Sequence, residues 1–328
     1  MKRTLVLGLD LGGTKIAAGV VSRSGKVLSA VRVPTPARGV KRDLQALFDS
    51  AHAALAAARI RWKDIWAVGV GVPGAFDQST ETVWAPNLPG WKKVPLGRLL
   101  DRAFRRPVFV EGDRNVQALA EAWLGASTER PARNLVFLTL GTGIGAGIIA
   151  NGRSISGARG VAGAAGWLAV SEHWHPEFGR LGSLEAVAAG PAIARKAARL
   201  ARGKKSGALA GIGRAEGALT AGAVVRAARA GDPLARKILD AAGESLGRGV
   251  ASIVALLNPE LVVIGGGLAE AGELLLAPLV RAAKKWGQPL ASRQVRIIRS
   301  RLGEDIGLLG AARYAMLEID RRAKSARA

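Results

Sequence analysis

The sequence contains no cysteine and only three histidines, two methionines and one tyrosine. Without cysteine the chain can form no disulfide, and it can offer neither thiolate ligands for zinc or iron–sulfur sites nor a cysteine nucleophile. The three histidines, His52, His173 and His175, are too few for most histidine-based metal chemistry. The composition therefore excludes most sites that depend on soft metal ligands.

Long apolar runs are missing as well. The basic start Met1–Arg3 and the apolar residues Leu5–Leu9 resemble the beginning of a signal peptide. However, Asp10 ends this run well before the roughly 7–15 residues that a signal peptide needs. No other stretch reaches the about 18 consecutive apolar residues of a membrane-spanning helix. We therefore expect a cytoplasmic protein without a membrane partner.

Acidic residues are scarce relative to basic ones: 48 Lys and Arg against 25 Asp and Glu give a formal net charge of +23. An excess of this size makes nucleic acid worth considering as a partner. The basic residues are scattered, however, and neither a recognition-helix signature nor a basic strand interleaved with aromatic residues is present. A nucleic-acid-binding protein is therefore an alternative supported by net charge alone, and we expect no specific nucleic-acid partner.

The chain has 328 residues, of which 49% are hydrophobic, enough for about two domains of roughly 150 residues. Apolar runs alternate with glycine-rich turns and with segments of helical spacing. The pattern of strand, glycine turn, strand and helices occurs twice, starting at Leu5 and at Asn134. It predicts an α/β protein with one domain of residues 1–120 plus roughly 305–328 and a larger one of residues 121–304. Strands are predicted at 5–9, 16–21, 27–33, 66–72, 108–110, 134–140, 146–150, 261–264 and 295–298, and helices at 43–59, 115–123, 190–202, 234–257 and 308–323.

Three glycine clusters follow predicted strands, at residues 10–15, 140–147 and 263–267. Glycine at such turns lets backbone N–H groups approach a phosphate without a clash from Cβ. Thr14 and Thr142 add hydroxyl donors, Lys15 adds a cation, and a carboxylate such as Asp10 at a strand end suits a hydrated magnesium ion. The spacing matches neither a P-loop nor a dinucleotide fingerprint. The alternative is that these glycines only form hairpin turns with positive φ angles.

The clusters resemble the phosphate and adenosine motifs of the sugar kinase/actin/Hsp70 superfamily. Within it, the chain resembles the ROK family, which includes bacterial glucokinases. The motifs that carry this resemblance are Asp10–Lys15, Leu140–Gly147, Gly265–Gly267, Gly71–Gly74, Pro86–Trp91, Glu111–Asn115 with Glu121, Gly157–Trp167, Gly182–Glu185 and Asn258–Glu260. The resemblance implies two actin-like (ribonuclease H-like) domains with a cleft between them, an ATP-dependent sugar kinase that uses Mg²⁺, and a homodimer.

The resemblance also assigns roles to particular residues. It implies that Asp10 holds Mg²⁺ through water and that Asp113 is the general base that accepts the proton of a sugar hydroxyl. Asp113 precedes a predicted helix, so its alternative role is to cap that helix. Glu185, whose alternative place is an ordinary acidic first turn of a helix, and Asn87 are expected near the sugar. The residues expected to bind ATP and its phosphates are Asp10, Gly12, Gly13, Thr14, Lys15, Gly141, Thr142, Gly143, Gly145, Gly265, Gly266 and Gly267, and those expected to bind the substrate are Asn87, Gly112, Asp113, Trp167 and Glu185.

The chain departs from the family pattern at the sugar motif. Where the family has Glu-x-Gly-His, this chain has Ala164 and Trp167 at the ends of the motif, and Gly112 replaces the asparagine before Asp113. Lost polar contacts would weaken glucose binding, whereas Trp167 could stack on the apolar face of a sugar. The substrate can therefore differ from glucose.

The family's cysteine-rich zinc loop is altered too. Ser183 occupies a typical cysteine position, so we expect no structural zinc site. His173 and His175 could bind a metal with Glu177, but they more often lie on the surface in such a loop. Without zinc, packing of aromatic residues, namely Trp167, Trp174 and Phe178, is expected to hold the loop.

Two functions thus stay open beside the nucleic-acid alternative. The first is an ATP-dependent sugar kinase, with polyphosphate as a possible second phosphoryl donor. The second is a non-catalytic sugar or nucleotide sensor derived from a kinase. The first predicted strand begins at about residue 4, so we expect no DNA-binding domain ahead of it.

Overall fold

The structure is a computed structural model in which residues 5–126, 128, 131–202, 207–216 and 218–326 are described. The basic start of the chain, residues 1–3, lies outside the described residues. Over the described part the first elements are β1 (Leu5–Leu11), β2 (Lys15–Ser22), β3 (Val27–Pro34), α1 (Val40–Ala58), β4 (Ile65–Val72), β5 (Ala75–Asp77), β6 (Thr82–Trp84), α2 (Leu96–Phe104), β7 (Val108–Gly112) and α3 (Asp113–Leu124). They are followed by β8 (Leu135–Leu140), β9 (Ile144–Ala150), β10 (Arg153–Ser154), α4 (Phe178–Leu181), α5 (Ser183–Ala188), α6 (Gly190–Ala201), α7 (Ala208–Glu216), α8 (Ala221–Arg229), α9 (Pro233–Leu257), β11 (Leu261–Gly265), α10 (Glu273–Trp286), α11 (Pro289–Gln294), β12 (Arg296–Arg299) and α12 (Ile306–Ser325).

The chain forms two compact units. The first comprises residues 1–133, 147–163 and 300–328, and the second comprises residues 134–146 and 164–299. The domain bounds expected from the sequence differ from these units chiefly at 121–133 and 147–163, which belong to the first unit. The mixed α/β architecture predicted from the sequence is confirmed.

The first unit is built on a sheet with strand order β3-β2-β1-β4-β7. Strands β1, β4 and β7 are parallel, so their carboxyl ends meet at one edge of the sheet. The register pairs Asp10 with Gly71 and Val72 with Gly112 at that edge. Residues just after these strands, including Asp113, are therefore placed side by side.

Helix α12 lies directly on this sheet because glycines remove the side chains that would separate them. A Cβ at Gly8 would overlap the carbonyl oxygen of Leu308, and a Cβ at Gly69 would overlap that of Ala311. On another side of the helix, a Cβ at Gly310 would overlap the carbonyl oxygen of Val116 in α3. Backbone thus touches backbone at three places, which fixes the start of α12 close to Asp10.

A second sheet has the strand order β10-β9-β8-β11-β12, in which β8, β11 and β12 are parallel and belong to the second unit, whereas β10 belongs to the first. Strand β9 contributes residues to both units. Beside this sheet, α9 packs on α10, and the two helices approach closely at glycines. A Cβ at Gly243 would lie 2.6 Å from Cγ of Pro278, and one at Gly247 would lie 2.5 Å from Cβ of Ala282.

The strands and helices that the sequence predicts are present, although their bounds differ by a few residues. Several elements were not among those predicted, namely the hairpin β5–β6, strand β10 and the helices α2, α4, α5, α7, α8, α10 and α11. Within the described part of the chain, no helix is both long and apolar enough to cross a membrane.

Candidate active site

Asp10 lies at the carboxyl edge of the first sheet, between two glycines. A Cβ at Gly307, in the first turn of α12, would overlap the Asp10 Oδ2. A Cβ at Gly71 would lie 3.2 Å from the Asp10 Oδ1. The half-buried carboxylate is thus held between strand β4 and helix α12, and only glycine at position 307 leaves it room.

The carboxylate of Asp10 lies within the electrostatic reach of Asp113. Burial, together with the charge of Asp113, raises the pKa of Asp10 to about 7, and Lys15 opposes the increase. Burial also raises the pKa of Asp113, and Arg114 opposes that increase. Asp113 is the first residue of α3, and its Oδ1 accepts the N–H of Arg114 at 2.8 Å. Gly112 occupies the capping position before the helix. Asp113 is therefore not the capping residue of α3, which was its alternative role.

The first glycine cluster forms the tight turn between β1 and β2. The Gly12 N–H donates to the carbonyl of Lys15 at 2.9 Å, and the Thr35 hydroxyl donates to the carbonyl of Gly12 at 2.7 Å. Gly13 and Thr14 are exposed at the tip of this turn. The Lys15 Nζ lies 3.2 Å from the Glu304 Oε1, just before α12.

Glu111 is a buried carboxylate beside Asp113 to which the sequence assigned no role of its own. Its Oε1 accepts the Gly112 N–H at 2.7 Å and the Asn115 Nδ2 at 3.2 Å. Its Oε2 accepts the Ser156 hydroxyl at 2.7 Å. Glu111 therefore fixes the backbone turn from which Asp113 projects. An acid at the end of a buried strand is the signal that could have identified it.

Arg114 is a second residue beside Asp113 to which the sequence assigned no role. Its Nη1 donates to the carbonyl of Gly163 and its Nη2 to that of Gly74, each at 3.1 Å. Its Nε lies 3.9 Å from the Asp113 Oδ1, and only 17% of its side chain is exposed. The guanidinium thus joins two loops of the first unit beside Asp113.

Asn87 lies in an exposed turn between β6 and α2. This turn is anchored by Trp91, whose buried indole donates to the Asp43 Oδ2 at 2.8 Å. The structure thus exposes Asn87 on a loop that is held by a buried hydrogen bond.

In the second unit, the structure brings Glu185 and the second glycine cluster together. The Glu185 Oε2 accepts the N–H of Ile144 at 2.8 Å. A Cβ at Gly143 would lie 2.8 Å from that oxygen, and a Cβ at Gly166 would lie 3.0 Å from it. Burial raises the pKa of Glu185, and the hydrogen bond from Ile144 opposes this increase.

The second and third glycine clusters are also neighbours. Gly141 and Thr142 lie in the turn between β8 and β9, while Gly145 is buried in β9. Gly265 ends β11 and Gly266 has a φ of 84°. A Cβ at Gly266 would lie 2.7 Å from the backbone nitrogen of Leu140. The two clusters therefore lie together at the carboxyl ends of β8 and β11.

The loop at 171–183 is held differently from the sequence-based expectation. Trp167 and Trp174 are 57% and 73% exposed, so their packing does not hold the loop, whereas Phe178 is half-buried with its ring centroid 5.8 Å from that of His175. Instead, the buried Ser183 hydroxyl accepts the N–H of Val170 at 3.2 Å, and Arg195 pairs with Glu177 at 2.7 Å. His173 and His175 are exposed, as was expected of histidines in such a loop.

The glycine clusters have the space that a bound phosphate requires. Among the residues that the structure describes, none beyond the chain neighbours has a heavy atom within 4 Å of a Cβ position at Gly13, Gly141 or Gly267, so their backbones face open space. Asp10 suits Mg²⁺, which keeps several waters and is held by one or two carboxylates. The described residues include no group of three His, Asp or Glu that could hold a metal directly. The residues present therefore fit a hydrated Mg²⁺ and a phosphate chain.

The sequence profile of the ROK family matches residues 6–317. The chain belongs to the ROK family. The relatives of this ROK protein include a glucokinase from Halalkalibacterium halodurans, 34% identical over 93% of this chain and 92% of the relative. The solved structures that resemble it include a ROK hexokinase from Thermus thermophilus, with a TM-score of 0.77 and 37% identity over 97% of this chain and all of the other.

A ROK family glucokinase from Streptomyces griseus, solved in complex with glucose and AMPPNP, has a TM-score of 0.78 to this ROK protein. It is 33% identical over 95% of this chain and 99% of the other. The fold is therefore the two-domain, actin-like α/β fold of ROK sugar kinases. The family resemblance found in the sequence motifs is confirmed over nearly the whole chain.

Proposed function

We propose that this ROK protein transfers the γ-phosphoryl group of ATP to a hydroxyl group of a hexose or a related sugar. The observation that carries the proposal is the arrangement at one edge of the first sheet. There Asp113 lies close enough to Asp10 to raise the pKa of its carboxyl, next to the open glycine turn at Gly13. Relatives named glucokinase and hexokinase support the same reaction.

Asp113 is the proposed general base. Its carboxylate accepts the proton of the attacking hydroxyl while the bond from that oxygen to the phosphorus forms. The bond between the phosphorus and the ADP oxygen breaks, and ADP leaves. Glu111 and Arg114 hold the backbone and the carboxylate of Asp113 in place through their hydrogen bonds and charge.

The glycine clusters are the proposed nucleotide site. The backbone N–H groups around Gly12, Gly13 and Gly141–Gly143, with the hydroxyls of Thr14 and Thr142 and the cation of Lys15, would hold the phosphates. Gly145 is buried in β9, directly after the second turn. Gly265–Gly267 would hold the adenosine. Bound MgATP would supply the phosphoryl group, and its magnesium ion would offset the negative charge of the phosphates. Asp10 would hold this ion through water.

The residues proposed to contact the sugar are Asn87, Gly112 and Asp113 of the first unit and Trp167 and Glu185 of the second. Asn87, Asp113 and Glu185 would exchange hydrogen bonds with sugar hydroxyls, and Gly112 leaves space for the ring. The exposed Trp167 offers a flat apolar surface for the less polar face of a sugar. We further propose that the protein is a cytoplasmic homodimer without nucleic-acid or membrane partners; light scattering on the purified protein tests the dimer.

The alternative is a non-catalytic sugar or nucleotide sensor. It is favoured by Ala164, Trp167 and Gly112, which stand where the family pattern has polar groups. Relatives of this chain also include a putative xylose repressor from Caldicellulosiruptor, 29% identical over 93% of this chain and 76% of the relative. A sensor would bind ligands without turnover.

An ADP-release assay separates the two functions. The purified protein is given MgATP and each member of a panel of hexoses and amino sugars, with polyphosphate as a second donor. We expect sugar-dependent ADP release that falls by about 100-fold or more in Asp113→Asn. Asp49→Asn, which changes an exposed carboxylate on α1, is the matched control and should keep full activity. No release with any sugar, while ATP still binds, would favour the sensor, and activity that survives Asp113→Asn would remove Asp113 as the base.

A further inference from the structure

Arg114 is a cation in an unusual setting. Its side chain is 17% exposed, yet its two side-chain hydrogen bonds go to neutral carbonyl oxygens, at Gly74 and Gly163. Among the described residues its one ion-pair partner is Asp113, at 3.9 Å from Nε, beyond hydrogen-bond distance. A largely buried guanidinium is costly unless an anion and good hydrogen bonds compensate it. The protein alone therefore compensates this charge incompletely.

Gly112, two residues before Arg114, leaves space beside the carbonyl of Gly74. Gly112 has φ −61° and ψ 140°, a conformation that any residue can adopt. A Cβ there would have the carbonyl oxygen of Gly74 as its nearest neighbour, at 3.9 Å. The same carbonyl accepts a hydrogen bond from Arg114. The region bounded by Gly74, Gly112 and Arg114 can therefore receive part of a ligand whose reacting hydroxyl is next to Asp113.

Guanidinium chemistry indicates which group belongs there. The guanidinium has five N–H donors in a planar fork, two of which are used by the carbonyls of Gly74 and Gly163. The remaining donors match the two oxygens of a carboxylate, and such charge-assisted pairs are about twice as strong as neutral hydrogen bonds. A neutral sugar hydroxyl would leave most of this charge uncompensated.

We propose that Arg114 is a specificity-determining residue that binds an anionic group of the substrate, so that the preferred acceptor is a sugar acid rather than a neutral hexose. This inference rests on the proposed phosphoryl transfer to a sugar and narrows its substrate class. The carboxylate of the sugar pairs with Arg114, and the reacting hydroxyl faces Asp113. Arg114 also offsets the repulsion between Asp113 and the incoming anion.

The test compares catalytic efficiencies of the whole protein with MgATP. The acceptors are glucose, glucuronate and gluconate, with glucose 1-phosphate to distinguish a phosphate from a carboxylate. We expect kcat/KM for at least one of the two sugar acids to exceed that for glucose by about 10-fold or more. Arg114→Met should lower the ratio of sugar acid to glucose by about 10- to 100-fold. Arg114→Lys should lower it less, because it keeps the charge but loses the planar fork.

The control is Arg61→Met, which removes an exposed arginine that forms an ion pair with Asp64 and should leave the ratio unchanged. Thermal melting of each variant identifies loss of folding. If the unaltered protein phosphorylates glucose but neither sugar acid, the inference is overturned while the kinase proposal survives. The same holds if glucose 1-phosphate is preferred to both acids, or if folded Arg114→Met keeps the ratio. If no acceptor of any class releases ADP, it is the proposed function that fails.

Discussion

Replacing Glu111 tests how the turn before Asp113 is held. The side chain is 2% exposed, and its two oxygens accept hydrogen bonds from Gly112, Asn115 and Ser156. Glu111→Ala leaves all three donors without this acceptor. Each hydrogen bond to a charged group contributes about 1.5–3 kcal/mol, while removing a buried charge recovers several kcal/mol of its desolvation cost. We expect a net loss of about 3–5 kcal/mol in the free energy of unfolding, by analogy with breaking a buried ion pair.

Glu111→Gln provides the matched comparison. The amide oxygen can still accept from Gly112 and Asn115, and the amide nitrogen can donate to the Ser156 hydroxyl, which can accept as well as donate. All three contacts survive, so the loss should stay below about 1 kcal/mol.

Calorimetry measures both effects. For a domain of this size each kcal/mol lowers Tm by about 2–4 °C, so Glu111→Ala should melt about 10 °C lower and Glu111→Gln only slightly lower. In the ADP-release assay, Glu111→Ala should also lower kcat, because the Gly112 N–H no longer fixes the turn. Equal Tm values for the two variants would refute the argument that hydrogen bonding by Glu111 holds this turn.

Three further predictions follow from the structure. Gly307→Ala places a Cβ on the Asp10 carboxylate and should abolish most ADP release. The control Gly211→Ala adds a Cβ on α7 where no described atom is close, and it should keep its activity. Equal activities of the two variants would show that Asp10 can move. Elemental analysis should find no stoichiometric zinc, and a chelator should leave Tm unchanged; one zinc per chain would contradict this. The pKa of Glu185 is raised above 4.5 in the folded state, so as pH rises through the interval above that value its contribution to stability should fall. When Tm is measured against pH, the Tm of Glu185→Gln should decline less over this interval than the Tm of the unaltered protein. Identical Tm profiles of the two proteins would contradict the raised pKa.

The sequence predicted those features that depend on neighbouring residues. Apolar runs that end in glycine marked β1, β8 and β11, and the motifs themselves indicated the family. Helix α10 was missed because it contains Pro278, which usually argues against a helix interior. In the structure Pro278 packs on Gly243, a contact that no local pattern reveals.

The environment of Asp113 depended on distant contacts and could not be predicted. Arg114 binds carbonyls that lie 40 and 49 residues away in the chain, at Gly74 and Gly163. Sequence spacing gives no sign of such partners. The exposure of Trp167 and Trp174 could not be predicted for a related reason. Aromatic residues in a loop favour a packed arrangement, but the fold leaves both side chains exposed.

The position of α12 has a consequence for how the chain is synthesised. The face of the first sheet formed by Gly8 and Gly69 is covered by Leu308 and Ala311, about 300 and 240 residues later in the chain. A ribosome adds about 5–20 residues per second. Many seconds therefore pass between the synthesis of these strands and the synthesis of α12, which covers them. During translation, the first unit therefore keeps this apolar face uncovered until α12 has been synthesised.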